Sequence, residues 1–249
     1  HGSELPHRGW VDTVNHPNPP VNSPQTANDG VSAGQDDVDH RLQRLAGLIA
    51  GSPHNLVSAR ERDKVFERHV LECNALADQL TPSGTWMDLG TGGGLPGLVL
   101  ALRYPGIKWT LMDATAKKVA AVRTFVDVLG LTNVAAVQGR AESLAHDAGH
   151  RGRYDVVVSR AVAPLASLVE LSRGFIGDGG AIVVVKGPHW EAELAGAHRA
   201  MERLRVRLIH SVRLEVAARP SWVVTMRAEG PPPVGFPRRD GIPQHDPIV

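Results

Sequence analysis

Residues 85–97 read TWMDLGTGGGLPG, a short apolar run that ends at Asp88-Leu89 and passes straight into a loop containing Gly90, Gly92, Gly93, Gly94 and Gly97. Glycine admits positive φ and lets a ligand approach the backbone closely. Pro96 suits the first turn of a helix, where an N–H would have no helical acceptor. The segment therefore predicts a strand, a tight glycine loop and the N-terminus of a helix. Such a terminus offers free N–H groups and a positive dipole end to a carboxylate or phosphate.

The same alternation continues downstream. Strand-like runs fall at 85–89, 108–113, 133–137, 154–159 and 181–186, with helical stretches at 95–103, 116–129, 141–147, 162–175 and 190–203. Strands that are continuously apolar, each followed by a helix, imply a parallel sheet covered on both faces. Two further runs, 205–214 and 222–227, follow in quick succession and fit an antiparallel finish. The expected class is an α/β, Rossmann-like, doubly wound and mostly parallel sheet. Ahead of it, Leu42, Leu45 and Ile49, then Val65, His69, Glu72 and Leu76, repeat at helical spacing and predict an N-terminal helical segment. Residues 1–35 hold few aliphatic side chains and read as a disordered arm. The domain then spans 36–229. The Pro-rich, basic tail 230–249 is expected to be extended and without regular helix.

Composition narrows the classes. The chain is 42% hydrophobic and 21% charged with a formal net charge of +1, so bulk charge does not announce a nucleic-acid binder. Charge is local instead: between Arg199 and Arg239 there are nine arginines against three glutamates, a footprint suited to phosphate. The single cysteine, Cys73, excludes an internal disulfide and fits a reducing compartment. No apolar run approaches the ~18 residues of a membrane span. The expectation is a cytoplasmic protein without membrane partner and without metal, since the histidines show no paired spacing.

Two cofactor classes use such a glycine loop. Gly92, Gly94 and Gly97 satisfy the dinucleotide pattern G-x-G-x-x-G. Asp88, Gly90, Gly92 and Gly94 satisfy the acid-x-G-x-G-x-G pattern of S-adenosylmethionine (SAM) methyltransferases. A carboxylate at Asp88 is unwelcome beside a pyrophosphate and welcome near the ammonium of SAM, which favours the second. Asp113, ending the second strand, could accept hydrogen bonds from both ribose hydroxyls of an adenosyl group. Arg140, Ala141 and Glu142 follow the third strand, where an adenine ring would lie; Arg160 ends the fourth strand and Lys186 the fifth. All belong to the carboxyl edge of the sheet, where open α/β sheets bind ligands.

The runs DLGTGGGLPG, LMDATAKKVAAVRTF, GRAES, VVSRAVAPL and VVKG, with NLVSARERDKVFERHVLEC before them and FPRRDGIPQHDPI after them, resemble the RsmG (GidB) family of bacterial ribosomal RNA methyltransferases. The resemblance implies SAM-dependent methylation of guanine N7 in the 530 loop of 16S rRNA. The expected partner is 16S ribosomal RNA or the small ribosomal subunit, and the expected state is a monomer. It places cofactor contacts on Gly90, Leu95, Asp113, Ala141, Glu142 and Arg160.

The residues permit that chemistry. Guanine N7 carries a free lone pair, so the enzyme has mainly to align it and exclude water. Arg140, Arg160 and Lys186 are the candidate catalytic groups, able to hold phosphate or polarise guanine O6. The loop after the fourth strand, Ser159-Arg160-Ala161-Val162, lacks the Asn/Asp-Pro-Pro-Tyr type used on exocyclic amines. Cys73 reads as a buried structural residue rather than a nucleophile, and His69 as a hydrogen-bonding residue or an RNA contact. Two other readings stay open on sequence alone. One is an NAD(P)-dependent oxidoreductase, although no Tyr-x-x-x-Lys pair is found. The other is an inactive methyltransferase-like RNA-binding module.

Overall fold

The computed structural model describes residues 29–216 and 220–249, with side chains from Asp36 onward. The expected disordered arm lies mostly outside the described residues, as does Arg219. Helix α1 (Asp29–Ala50) begins before the expected domain start at 36. A 3-10 turn over Ala59–Lys64 and a π turn over Phe66–Val70 lead into α2 (Leu71–Ala77). The second N-terminal helix of the sequence reading is thus three helical pieces.

The α/β unit then runs β1 (Thr85–Leu89), α3 (Gly97–Arg103), β2 (Lys108–Asp113), α4 (Ala116–Leu129), β3 (Val134–Gln138), α5 (Ala141–Leu144), β4 (Tyr154–Arg160), α6 (Leu165–Arg173) and β5 (Ile176–Lys186). It closes with α7 (Trp190–Gly196), α8 (His198–Leu204), β6 (Val206–Leu214), β7 (Ser221–Ala228) and α9 (Ile242–His245). Seven strands form one sheet in the order β3-β2-β1-β4-β5-β7-β6. The pairs among β1 to β5 are parallel, and β7 is antiparallel to both β5 and β6. The order reverses between β1 and β4, which makes the carboxyl ends of those strands the ligand crevice of an open sheet.

Alternating side chains explain why both faces are covered. Trp86, Val156, Val158, Val183 and Val185 pack with α1 to α4, whereas Met87, Leu89, Val157, Ile182 and Val184 pack with α6 and α8. Strand β5 starts five residues earlier than its apolar run, at Ile176 rather than Ala181. Its opening sequence, Ile176-Gly177-Asp178-Gly179-Gly180, reads as a turn. Gly180 is needed there because a Cβ would come 2.9 Å from the Asp155 carbonyl oxygen and 2.6 Å from Ile176. The long helix expected over 190–203 is divided at Ala197 into α7 and α8.

The tail departs most from expectation. Its first residues are held by two arginines. Buried Arg173 donates to the carbonyls of Leu204, Ile176, Glu229, Gly230 and Pro231. Arg151 donates to those of Ala145, Phe236, Pro232 and Pro233. The segment ends in one helical turn, α9, where Pro243 sits in the first turn and Gly241 precedes it at φ 84°. A proline excluded from a helix interior is tolerated there, because first-turn N–H groups lack helical acceptors. Arg238, expected to face phosphate, instead forms a forked pair with fully buried Glu170, its Nη2 2.8 Å from Oε2 and its Nε 3.0 Å from Oε1. Arg239 stays exposed.

That pairing sets the stability of the tail. Removing one partner of a buried ion pair leaves the other charge uncompensated, at a cost of about 3 kcal/mol or more. Arg238→Ala is expected to lower unfolding stability by about 3 kcal/mol in urea titrations, while Arg239→Ala changes it by less than about 0.5 kcal/mol.

Candidate active site

The glycine loop is built around two carboxylates. Asp88 is completely buried at the end of β1, and its Oδ2 accepts hydrogen bonds from Thr91 Oγ1 at 2.6 Å and Gly97 N at 2.8 Å. A Cβ at Gly97 would lie 2.7 Å from that oxygen, so only glycine lets α3 start this close to the carboxylate. Asp113 Oδ2 accepts from Gly92 N at 3.0 Å and Oδ1 from Thr115 N at 2.8 Å, which ties the loop to the end of β2. Gly90 adopts φ 74°, and a Cβ there would strike Val162 at 2.4 Å. Gly94 lies at φ 95°.

Beneath the loop is a cavity of about 240 Å³ lined by Gly90, Asp113, Gly139, Arg140, Ala141 and Glu142, among others. Asp88, Gly92, Gly94 and Leu95 are not among its lining residues. Leu95 is buried in the core and its N–H is spent on Thr91 O, 3.0 Å away. Glu142 is 3% exposed; its Oε1 accepts from Arg140 Nη2 at 2.7 Å and from Gly241 N of the tail at 2.8 Å. Burial alone would raise the Glu142 carboxyl, but the bonds from Arg140 and Gly241 outweigh it and hold the pKa below the usual value.

A second cavity, of about 500 Å³, opens on the other side of Ala161 and is lined by His69, Glu72, Arg160, Lys186 and Glu193, among others. Arg160 Nη1 donates to Glu72 Oε2 at 2.8 Å and to His69 Nδ1 at 3.1 Å. Burial, and then the Arg160 charge, hold the His69 imidazole below its ordinary pKa, so Nδ1 keeps its lone pair for the guanidinium. Lys186 Nζ donates to Glu193 Oε2 and to the Ala163 carbonyl, each at 2.7 Å. The same glutamate accepts from Leu165 N at 3.0 Å, so Lys186 and Glu193 together brace the loop between β4 and α6.

The three candidate catalytic groups therefore do not converge. Arg160 and Lys186 share the larger cavity, whereas Arg140 belongs to the smaller one, paired with Glu142 and with Asp240 at 3.5 Å. Arg160 enters its cavity with Nη1 already committed to Glu72 and His69. Cys73 is fully buried, and desolvation pushes its thiol up to about 12, which removes it as a nucleophile.

A model of the GidB family, described as rRNA small subunit methyltransferase G, matches residues 40–220. Ribosomal RNA small subunit methyltransferase G of Deinococcus radiodurans is 36% identical over 86% of this chain and 88% of its own. That of Deinococcus deserti is 40% identical over 85% of this chain and 91% of its own. The chain belongs to this family. Among solved structures, a geranyl diphosphate methyltransferase in complex with GPP and sinefungin shares the fold, with a TM-score of 0.53 at 14% identity, over 78% of this chain and 98% of that one. The GidB family assignment and the antiparallel β7 inserted between β5 and β6 turn the dinucleotide reading aside, since that fold carries strands in the order 3-2-1-4-5-6.

The site fits the GidB family's cofactor, SAM. Each carboxylate oxygen has two acceptor positions, so Asp113 retains capacity for ribose hydroxyls after satisfying Gly92 and Thr115. Gly92, at φ 57°, would carry a Cβ with nothing within 4 Å, so the loop is open on that side. Glu72, Ala161 and Val162 were not singled out as site residues by sequence. Glu72 lies on a separate helix, 88 residues from its partner Arg160, and no local pattern connects the two.

Asp88 gives a test through pH. Desolvation raises its carboxyl to about 6, against the lowering effect of the Thr91 and Gly97 bonds and of Arg160. Between the unfolded value of 3.8 and about 6, the folded state holds more protons than the unfolded state, so stability falls as pH rises through this window. Asp88→Asn keeps an acceptor for Thr91 and Gly97 and removes the titration. Its stability advantage over wild type should grow between pH 4 and pH 7 by an amount on the order of 3 kcal/mol, read by denaturant unfolding at each pH.

Proposed function

We propose that this SAM-dependent rRNA methyltransferase acts on N7 of a guanine in the 530 loop of 16S rRNA, as a monomer in the cytoplasm. The observation that carries the reading is the pair of cavities meeting at Ala161. One is lined by Gly90 at the start of the glycine loop and by Asp113; the other is larger, open and lined by Arg160. When bound, SAM supplies an electrophilic methyl group on a sulfonium.

The chain's own residues supply position and exclusion of water. Asp113 holds the ribose end with its remaining lone pairs. The Gly139–Glu142 segment receives the adenine end. Val162 packs against Gly90 on the β4 side of the loop. In the larger cavity Arg160 spends Nη1 on Glu72 and His69, and no partner is found for Nε or Nη2 among the described residues. Those donors engage guanine O6 or a neighbouring phosphate in this reading, contacts that Arg makes readily. No general base is required, because N7 needs no deprotonation, and the neutral His69 serves by holding Arg160. Exposed Arg239 at the rim of the tail supports phosphate contact. Among the described residues no helix is long and apolar enough to cross a membrane.

The test is to incubate the protein with SAM and 16S rRNA or small subunits and to map the methylated base. Arg160→Lys keeps the charge and loses the fork. It is expected to lower methyl transfer at least tenfold, about 1.4 kcal/mol of barrier, with SAM affinity within about twofold of wild type. Loss of SAM affinity in parallel with turnover would place Arg160 on the cofactor instead, and an unchanged rate would make it structural.

A further inference from the structure

The smaller cavity has a wall that the methyltransferase domain does not provide. Besides Asp113, Gly139, Ala141 and Glu142 it is lined by Gln244, from α9 in the C-terminal tail. Gln244 is more than 100 residues beyond any of the strand ends that build the rest of the cavity's adenine side.

The tail is held there firmly. Gly241 N donates to Glu142 Oε1 at 2.8 Å, Asp240 accepts from Ser143 Oγ at 3.0 Å and pairs with Arg140, and Pro243 is buried. Upstream, Arg238 is locked to Glu170, and downstream Asp246 N closes the helical turn on Ile242 O at 2.9 Å. Anchors on both sides of Gln244 fix the direction of its backbone. Its side-chain amide has no hydrogen-bond partner among the described residues.

We propose that the tail is part of the cofactor site and that Gln244 reads the adenine ring. An amide offers a donor pair and an acceptor in one plane. That set complements adenine, which presents an exocyclic amine beside a ring-nitrogen acceptor, and glutamine pairs with those two groups in nucleic-acid recognition. Glu142 has Oε1 committed to Arg140 and Gly241 and, as a carboxylate, offers no donor to the ring nitrogen. The carboxylate between the cavity and the tail is instead the latch that brings Gln244 to the cavity. The inference rests on the SAM reading above and adds a residue and a chain segment to it.

Isothermal titration with S-adenosylhomocysteine and with its inosine analogue, in which the exocyclic amine is replaced by oxygen, tests it on wild type and on Gln244→Ala. The side chain is exposed, so the variant should fold, and an unchanged melting temperature without ligand checks this. Loss of two hydrogen bonds should weaken binding of the adenosine compound by about tenfold, leave the inosine analogue within about twofold, and so erase most of the preference between them. Wild-type affinity and preference in Gln244→Ala, beside normal wild-type binding, would overturn the inference alone. A wild-type protein that binds neither compound would overturn the SAM reading and this inference with it.

Discussion

A carboxylate with no exposure to water governs the site. Asp88 stands at the end of β1 with Gly97 N and Thr91 Oγ1 on one oxygen, and no partner is found for its other oxygen among the described residues. Burying an acid this way is costly, which is why its proton is held up to about 6. The cost is offset by what it orders. The first turn of α3 is pinned to the end of β1, the intervening loop must pass through the left-handed region, and Gly90, Gly92 and Gly94 follow as a consequence. Asp113 then needs only to accept Gly92 N to bring the loop beside the end of β2. The acid-x-G-x-G-x-G pattern is therefore first a folding motif. Its ligand site is what remains open once the two carboxylates are satisfied.

This separates what the sequence makes legible from what it hides. The order of strands and helices could be read because each β-run is apolar on both faces and each is followed by a periodic helix. Asp113, Gly139 and the Ala141-Glu142 pair could be placed on one edge because each lies just beyond a strand. Partner choice could not be read. Arg160 was legible as an arginine at a strand end, but Glu72 and His69 reach it from the N-terminal segment, and nothing in linear spacing predicts that meeting. Lys186 is likewise used up by Glu193, seven residues on, across the start of α7.

The tail shows the same limit more sharply. Its prolines argued for an extended strap, whereas it runs through bends and turns into the helical turn α9. What composition could not show is that its charges face inward. Arg238 is spent on Glu170, and Glu142 reaches out to Gly241. Of the arginines that made the region look basic, Arg207 pairs with Glu229 and Arg213 with Glu215 and the face of Trp222. A count of basic residues therefore overstates the charge this surface offers to phosphate, and the opposing carboxylates lie both within the counted segment and far from it.

Ala161 joins the two halves of the site and carries its clearest strain. It lies between the cavities and adopts φ 57°, a left-handed conformation that costs an ordinary residue about 1 to 2 kcal/mol. Neighbouring bonds compel it. Ser159 Oγ is tied to Leu89 O at 2.8 Å, Arg160 is turned to Glu72, and two residues later the Ala163 carbonyl is caught by Lys186. The chain must reverse between these fixed points, and at Ala161 it does so with a methyl group rather than a larger side chain. Val162 is thereby delivered over Gly90, while Arg160 is delivered to the opposite cavity. Backbone strain of this kind persists only where surrounding structure over-determines it. Here the over-determination comes from the brace of Lys186 and Glu193. Lys186 thus bears on the site through the backbone it holds.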